Sequence, residues 1–199
     1  IVNENSLELK VRKADQWLEK LNAENKFNGT VLLIKEDSII LKKAYGFTDA
    51  NSNIKLTTSS SFRLASVSKQ FTATGIMLLK EKGLLSFDDA VTKFLPELSY
   101  HKVTIRHLLN HTSGIPDIYM SFPKKYKEEV GGLLTNDKVV TLLGKTNPPL
   151  ETEPNEKYKY SNIGYVLLSS IIEKISKKSF EEFLKAELFD KLDMKNTRV

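Results

Sequence analysis

The stretch FRLASVSKQFTATGIMLL, Phe62–Leu79, sets a serine and a lysine three positions apart at the head of an apolar run. Four Ser-x-x-Lys matches occur in the chain: Ser66 with Lys69, Ser52 with Lys55, Ser99 with Lys102, and Ser121 with Lys124. With 17 Ser and 26 Lys among 199 residues, composition alone produces about two such matches, so context must separate them. Ser52 lies in the turn-like NSN, Ser99 follows PEL in a connecting segment, and Pro123 breaks continuity between Ser121 and Lys124. Only Ser66 and Lys69 open a stretch patterned as a buried helix. It runs from Ser66 to Lys82 through Val67, Phe71, Ile76, Met77, Leu78 and Leu79. Lys80 and Lys82 suit its C-terminal dipole, and Gly83 suits its cap.

On a helix, positions i and i+3 share a face, about 5–6 Å apart at Cβ. The opening N–H groups and the positive dipole end favour a nearby oxyanion. A serine hydroxyl is a weak nucleophile until a base takes its proton. Lysine can serve if burial leaves its amine neutral, and the apolar flanks Phe62, Leu64, Val67 and Phe71 predict such desolvation. The same letters also describe an N-cap serine followed by a surface lysine.

Before this stretch, Leu7, Val11, Ala14, Leu18 and Leu21 step by four and three, the stripe of an amphipathic helix over Ser6–Lys20. GTVLLIKEDSIILKKAYG, Gly29–Gly46, reads as an antiparallel hairpin about the polar turn Lys35–Ser38. TDANSNIKLTTSSS follows as a loop. Beyond Gly83 helices dominate: a short one from the capping-box-like SFDD at Ser86 to Pro96, another in TIRHLLNHT, a stripe through Ile163, Val166, Leu167, Ile171 and Ile175, and a last one over Phe180–Leu192. GKTN, Gly144–Asn147, reads as a loop before Pro148 and Pro149. The division is an N-terminal helix and hairpin over 1–60 and a mainly helical part over 61–199. A lone hairpin is marginal and needs strands that this sequence does not supply.

YKYSNIGY carries Tyr160-Ser161-Asn162, the one Tyr-x-Asn of the chain, immediately before a helix. A phenol and a carboxamide two residues apart in an extended turn can face one cleft, the first relaying a proton and the second holding a substrate amide. Alone, the triplet equally suits a surface tyrosine followed by an N-cap.

Composition narrows the function classes. Hydrophobic content of 40% and charged content of 28% describe a soluble globular chain, and no apolar run approaches the ~18–20 residues of a membrane helix. The start, IVNENSLELK, carries no signal-peptide stretch. The net charge of +5 is spread along the chain, without the dense basic stripe of a nucleic-acid surface. The absence of Cys rules out disulfides, a thiol nucleophile and Cys-ligated zinc. His107 and His111 stand at i and i+4, but Leu108 occupies the place of the Glu in His-Glu-x-x-His, and His101 is the only other histidine. No metal site and no cofactor are expected, and neither a Gly-x-Ser-x-Gly elbow nor a glycine-rich phosphate loop occurs.

Taken together, these segments resemble the penicillin-recognising serine enzymes: class C β-lactamases, D-alanyl-D-alanine carboxypeptidases and related esterases, for which Ser-x-x-Lys is a signature. The likeness runs in order through NGTVLLIKEDSIILKKAYGFTD, FRLASVSKQFTATGIMLLKEKGLLSFDDAVTKFLPEL, VTIRHLLNHTSGIPD and the region from YKYSNIGY to the last residue. The resemblance implies an α/β fold of the α+β type, an antiparallel sheet beside a large helical region. It implies Ser66 as nucleophile, Lys69 as its proton partner, Tyr160 as general acid and base, and Asn162 as a substrate-positioning side chain. The implied reaction is acyl transfer on a D-Ala-D-Ala peptide, β-lactam or ester, outside the cytoplasm. A non-catalytic receptor or scaffold with the same fold, binding wall peptides or β-lactams, is the alternative. Two departures stand out. Asn155 occupies a turn where the family commonly carries Gly, and no Lys-x-Gly or His-x-Gly third motif follows Asn162. The resemblance therefore covers the N-terminal portion of such an enzyme, one incomplete domain over 1–199. Little turnover by these residues alone and self-association through unpaired strand edges are the expectations that follow.

Overall fold

The computed structural model describes residues 6–49, 51, 53–118, 128 and 134–199, so Ser52, Ser121 and Lys124 lie outside the described residues. The chain divides into two compact units, Ile1–Arg63 and Leu64–Val199.

In the first unit, α1 (Leu7–Ala23) begins where the Ser6 side chain accepts the Leu9 N–H. Strands β1 (Gly29–Lys35) and β2 (Ser38–Tyr45) form the antiparallel hairpin. Glu36 and Asp37 both take positive φ, 47° and 64°, the turn whose twist matches the strands it joins. Leu33 pairs with Leu41 and Ile34 with Ile39, so Ile40 is an extra residue that bulges from the ladder. Lys43 Nζ reaches Asp15 and Glu19, each at 2.7 Å, and the Tyr45 hydroxyl donates to Asp15 at 2.8 Å, tying β2 to α1. Leu32, Ile34 and Ile39 stay exposed, and among the described residues the sheet has two strands.

The second unit is helical. The expected single helix from Ser66 to Lys82 is two pieces: a 3-10 turn, Ala65–Ser68, running into α2 (Lys69–Glu81). Its burial is also narrower than its composition suggests, because Ile76 and Leu79 are buried while Val67 and Met77 face solvent. Gly83, at φ 69°, closes α2: its N–H donates to the Lys80 carbonyl and the Leu84 N–H to that of Leu79. The helix expected from Ser86 is absent. Ser86 N–H does donate to Asp89, but the Val91 N–H is taken by the Val103 carbonyl and Ala90 bridges Thr104, so only a 3-10 turn forms over Val91–Lys93.

Helix α3 (Ile105–Leu109) is opened by a reciprocal cap between Thr104 and His107. The segment read as a loop at Gly144 is instead the end of α4 (Asn136–Thr146). The glycine has a packing reason there: a Cβ would lie 2.7 Å from the Glu97 carbonyl oxygen. Helix α5 (Asn162–Ser176) is the axis of the core, with Ile163, Leu167, Leu168, Ile171 and Ile172 fully buried. Each such side chain stabilises the fold by about 1.5–3 kcal/mol relative to an exposed one. It packs among α2, α3, α4 and α6 (Phe180–Leu184), and α6 gives way to a π turn, Lys185–Phe189, instead of continuing to Leu192.

Candidate active site

Ser66 sits in the 3-10 turn that leads into α2, where residues three apart eclipse one another and Lys69 therefore lies beneath it. Lys69 Nζ donates to Ser66 Oγ at 3.2 Å. Ala65, just before, is held at φ 46°, a left-handed conformation that costs a non-glycine residue on the order of 1 kcal/mol. That kink turns the serine outward at the head of the helix. Leu64 and Val67 are exposed, so the desolvating apolar collar expected from the sequence does not form. Lys69 Nζ instead meets the Asn162 Oδ1 at 2.9 Å and the ring faces of Tyr160 and Tyr165 at 4.9 and 5.6 Å. A carbonyl oxygen and two aromatic faces are the partners an ammonium seeks.

Tyr160 and Asn162 come from the opposite side of this unit, at the start of α5. Ser161 is the N-cap, its side chain accepting the Gly164 N–H. The extended backbone of Ser161 itself separates Tyr160 from the first helical residue, Asn162, and both side chains reach the Ser66–Lys69 pair. Tyr160 Oη lies 2.6 Å from Ser66 Oγ and 3.4 Å from Asn162 Oδ1. Lys69 first, then the Ser66 hydrogen bond, hold the Tyr160 phenol below the ordinary tyrosine range.

The His-Thr-Ser-Gly segment explains how Tyr160 is held. The carbonyls of His111, Thr112 and Gly114 accept the N–H groups of Lys159, Asn155 and Glu151, each at 2.8 Å. The loop before Tyr160 is thus laced along this segment. Gly114, at φ 72°, must be glycine, because a Cβ would stand 2.1 Å from the Thr152 carbonyl oxygen. Asn155 takes φ 69°, the backbone that a glycine adopts freely and that asparagine tolerates better than most residues. The departure from the family pattern keeps the turn. His111 stacks against Tyr160 with centroids 4.7 Å apart and against Tyr165 at 5.1 Å, and its Nδ1 accepts the Ser161 N–H at 3.2 Å.

All four residues singled out in the sequence, Ser66, Lys69, Tyr160 and Asn162, therefore meet in one cluster. Ser99 and Lys102 do not: both are exposed, and Lys102 pairs with Glu153 at 3.4 Å. Two members were not among the four site residues. His111 stands out in sequence only as the i+4 partner of His107 in a metal-motif pattern that lacks its Glu. Asp117 had no signal of its own, yet its carboxylate accepts the Asn162 Nδ2 at 3.0 Å and the Ile163 N–H at 3.1 Å.

A model of the beta-lactamase family matches residues 14–199. The chain belongs to the β-lactamase family. It is similar to penicillin-binding protein 4* of Bacillus subtilis (strain 168), with 43% identity over 181 residues, 91% of this chain and 40% of that protein. Among solved structures it is similar to the octameric penicillin-binding protein homologue from Pyrococcus abyssi, with a TM-score of 0.75 and 32% identity, covering 92% of this chain and 43% of that one. It also resembles the D-amino acid amidase from Ochrobactrum anthropi SV3, with a TM-score of 0.74 and 28% identity, covering 94% and 52%. The chain thus spans about half the length of these relatives or less, and it carries the α/β, serine β-lactamase-like fold of the family.

Proposed function

We propose that this β-lactamase-family chain supplies the nucleophile side of a serine acyl-enzyme hydrolase or transferase acting on amide or ester carbonyls. The observation that carries this reading is the 2.6 Å contact between Ser66 Oγ and Tyr160 Oη, with Lys69 Nζ on the same oxygen. Tyr160 takes the Ser66 proton as Oγ attacks the carbonyl. The Lys69 ammonium lowers the cost of ionising the Tyr160 phenol and steadies the charge that develops. The tetrahedral oxyanion is met by the Ser66 N–H, which lies in the opening turn and has no partner within it. Such a donor contributes about 10²–10³ in rate. Tyr160 then returns its proton to the leaving amine or alcohol, and water or another acceptor releases the acyl group. Asn162 orients Lys69 and presents its amide to the substrate.

The names of the relatives support amide carbonyls as the substrate class, one being a penicillin-binding protein and another an amidase. D-Ala-D-Ala peptides, β-lactams and small esters are the proposed set, met outside the cytoplasm where wall peptides lie. These 199 residues alone are proposed to turn over little, since no third motif follows Asn162. The exposed hairpin residues Leu32, Ile34 and Ile39 support self-association. A strictly monomeric mass at high concentration refutes that last point.

The deciding experiment is covalent labelling of the full-length protein with a fluorescent penicillin and an activated ester. The expected result is one label per chain, lost in Ser66→Ala. Labelling that survives the substitution removes Ser66 from the reaction, and binding without covalent attachment turns the reading to a receptor.

A further inference from the structure

We infer that Asp117 is a positioning residue that dictates which end of the Asn162 side-chain amide faces Lys69. The inference rests on the reading of Ser66 as nucleophile for its kinetic consequence, but its geometry stands apart from it. A lysine ammonium can only donate, and an ionised carboxylate can only accept. Asn162 lies between one of each, with Oδ1 at 2.9 Å from Lys69 Nζ and Nδ2 at 3.0 Å from Asp117 Oδ2. The amide therefore has one satisfied orientation, and rotating it by half a turn would set NH₂ against ammonium and oxygen against carboxylate. The other carboxylate oxygen, Oδ1, accepts the Ile163 N–H at 3.1 Å, so Asp117 is itself pinned to the first turn of α5. The chain of contacts runs Ile163 N–H, Asp117, Asn162, Lys69, Ser66. Asp117 touches no reacting atom and acts through Asn162.

The substitution Asp117→Asn is close in shape but not in hydrogen bonding. The Ile163 N–H claims the oxygen of the new amide, whose NH₂ then faces Asn162. Asn162 must turn its own oxygen toward that NH₂, which leaves its NH₂ against Lys69. The cap on α5 survives while the acceptor for Lys69 is lost. The substitution Asp117→Glu is the opposite case, less similar in shape but still purely an acceptor, and Asp117 is exposed enough to admit the longer side chain.

The test is the rate of Ser66 labelling by a fluorescent penicillin in the full-length protein, with melting temperature measured alongside. The expected pattern is a loss of about tenfold or more for Asp117→Asn at an almost unchanged melting temperature, with Asp117→Glu within about threefold of wild type. A merely structural role reverses that order, since the shape-matched variant would then be the milder one. Wild-type labelling by Asp117→Asn, while Ser66→Ala takes no label, overturns the inference and leaves the proposed function standing. If wild-type protein takes no label at Ser66, it is the proposed function that fails. The inference is then decided by the side-chain ¹⁵N–¹H resonances of Asn162, identified by their absence in Asn162→Asp. Resonances displaced in Asp117→Asn and retained in Asp117→Glu support it, and resonances unmoved in both overturn it.

Discussion

The Tyr160 hydroxyl lies 2.6 Å from the Ser66 Oγ across 94 residues of chain. A hydrogen bond this short between two hydroxyls places one proton between the proposed nucleophile and its base. Tyr160→Phe removes only the oxygen and leaves the ring stacked on His111. Labelling of Ser66 is expected to slow by about 10²–10⁴ with the melting temperature nearly unchanged. A rate within threefold of wild type would show that another group takes the proton.

The Lys69 ammonium is the first cause of the lowered Tyr160 phenol, ahead of the Ser66 hydrogen bond. Replacing it by Lys69→Met therefore raises the Tyr160 titration midpoint toward the free tyrosine value. The ¹³Cζ resonance of Tyr160 followed against pH reads this directly. Because the wild-type phenol ionises early, labelling of wild-type protein should climb with pH below the range of an ordinary tyrosine. A midpoint unmoved by Lys69→Met would separate the two residues.

Gly114→Ala puts a methyl 2.1 Å from the Thr152 carbonyl oxygen at φ 72°. The three backbone bonds that lace residues 151–159 to residues 111–114 must give way, at a cost of about 3 kcal/mol. Thermal unfolding should show the loss, and labelling should fall with it because the same loop carries Tyr160. At Asn155, where φ is 69° but the role is only to turn, Asn155→Gly is expected to be nearly neutral and Asn155→Ala to cost about 1 kcal/mol. Equal stability of Asn155→Ala and wild type would show that the turn adapts.

Burial first, and the Lys69 charge second, lower the pKa of His111, and its Nδ1 is occupied by the Ser161 N–H. A histidine held neutral in the fold binds its proton more readily when unfolded. Its contribution is complete above the unfolded value near pH ~6.5 and is lost as pH falls toward the lower folded value. Melting temperature should drop between neutral and mildly acidic pH, less steeply in His111→Asn. His107, lowered by burial in the cap of α3, adds to the same slope, so the double substitution should flatten it further. A slope that neither substitution alters assigns the acid sensitivity elsewhere.

Much of this molecule was legible in one dimension because local chemistry repeats at the scale of a few residues. The stripe of α1, the turn at Glu36 and Asp37, Gly83 at the end of α2 and the apolar run of α5 each follow from periodicity or from a backbone preference that neighbours do not alter. The pairing of Ser66 with Lys69 was visible for the same reason: three residues is one turn. Where long-range contacts outbid a local preference, the sequence misled. The start at Ser86 loses its helix to backbone bonds between Val91 and Val103, and the glycine in α4 answers to the Glu97 carbonyl.

What the letters by themselves determined is the place of Ser66 and Lys69 at the head of a helix and the order of segments that marks a β-lactamase relative. Only the tertiary structure decided what meets Ser66. Tyr160 arrives from one stretch, and His111 and Asp117 from another, brought together by the lacing of Gly114 and its neighbours to the loop before α5. Each of those contacts depends on a direction in space, and a hydrogen bond between residues 94 apart leaves no period in the sequence.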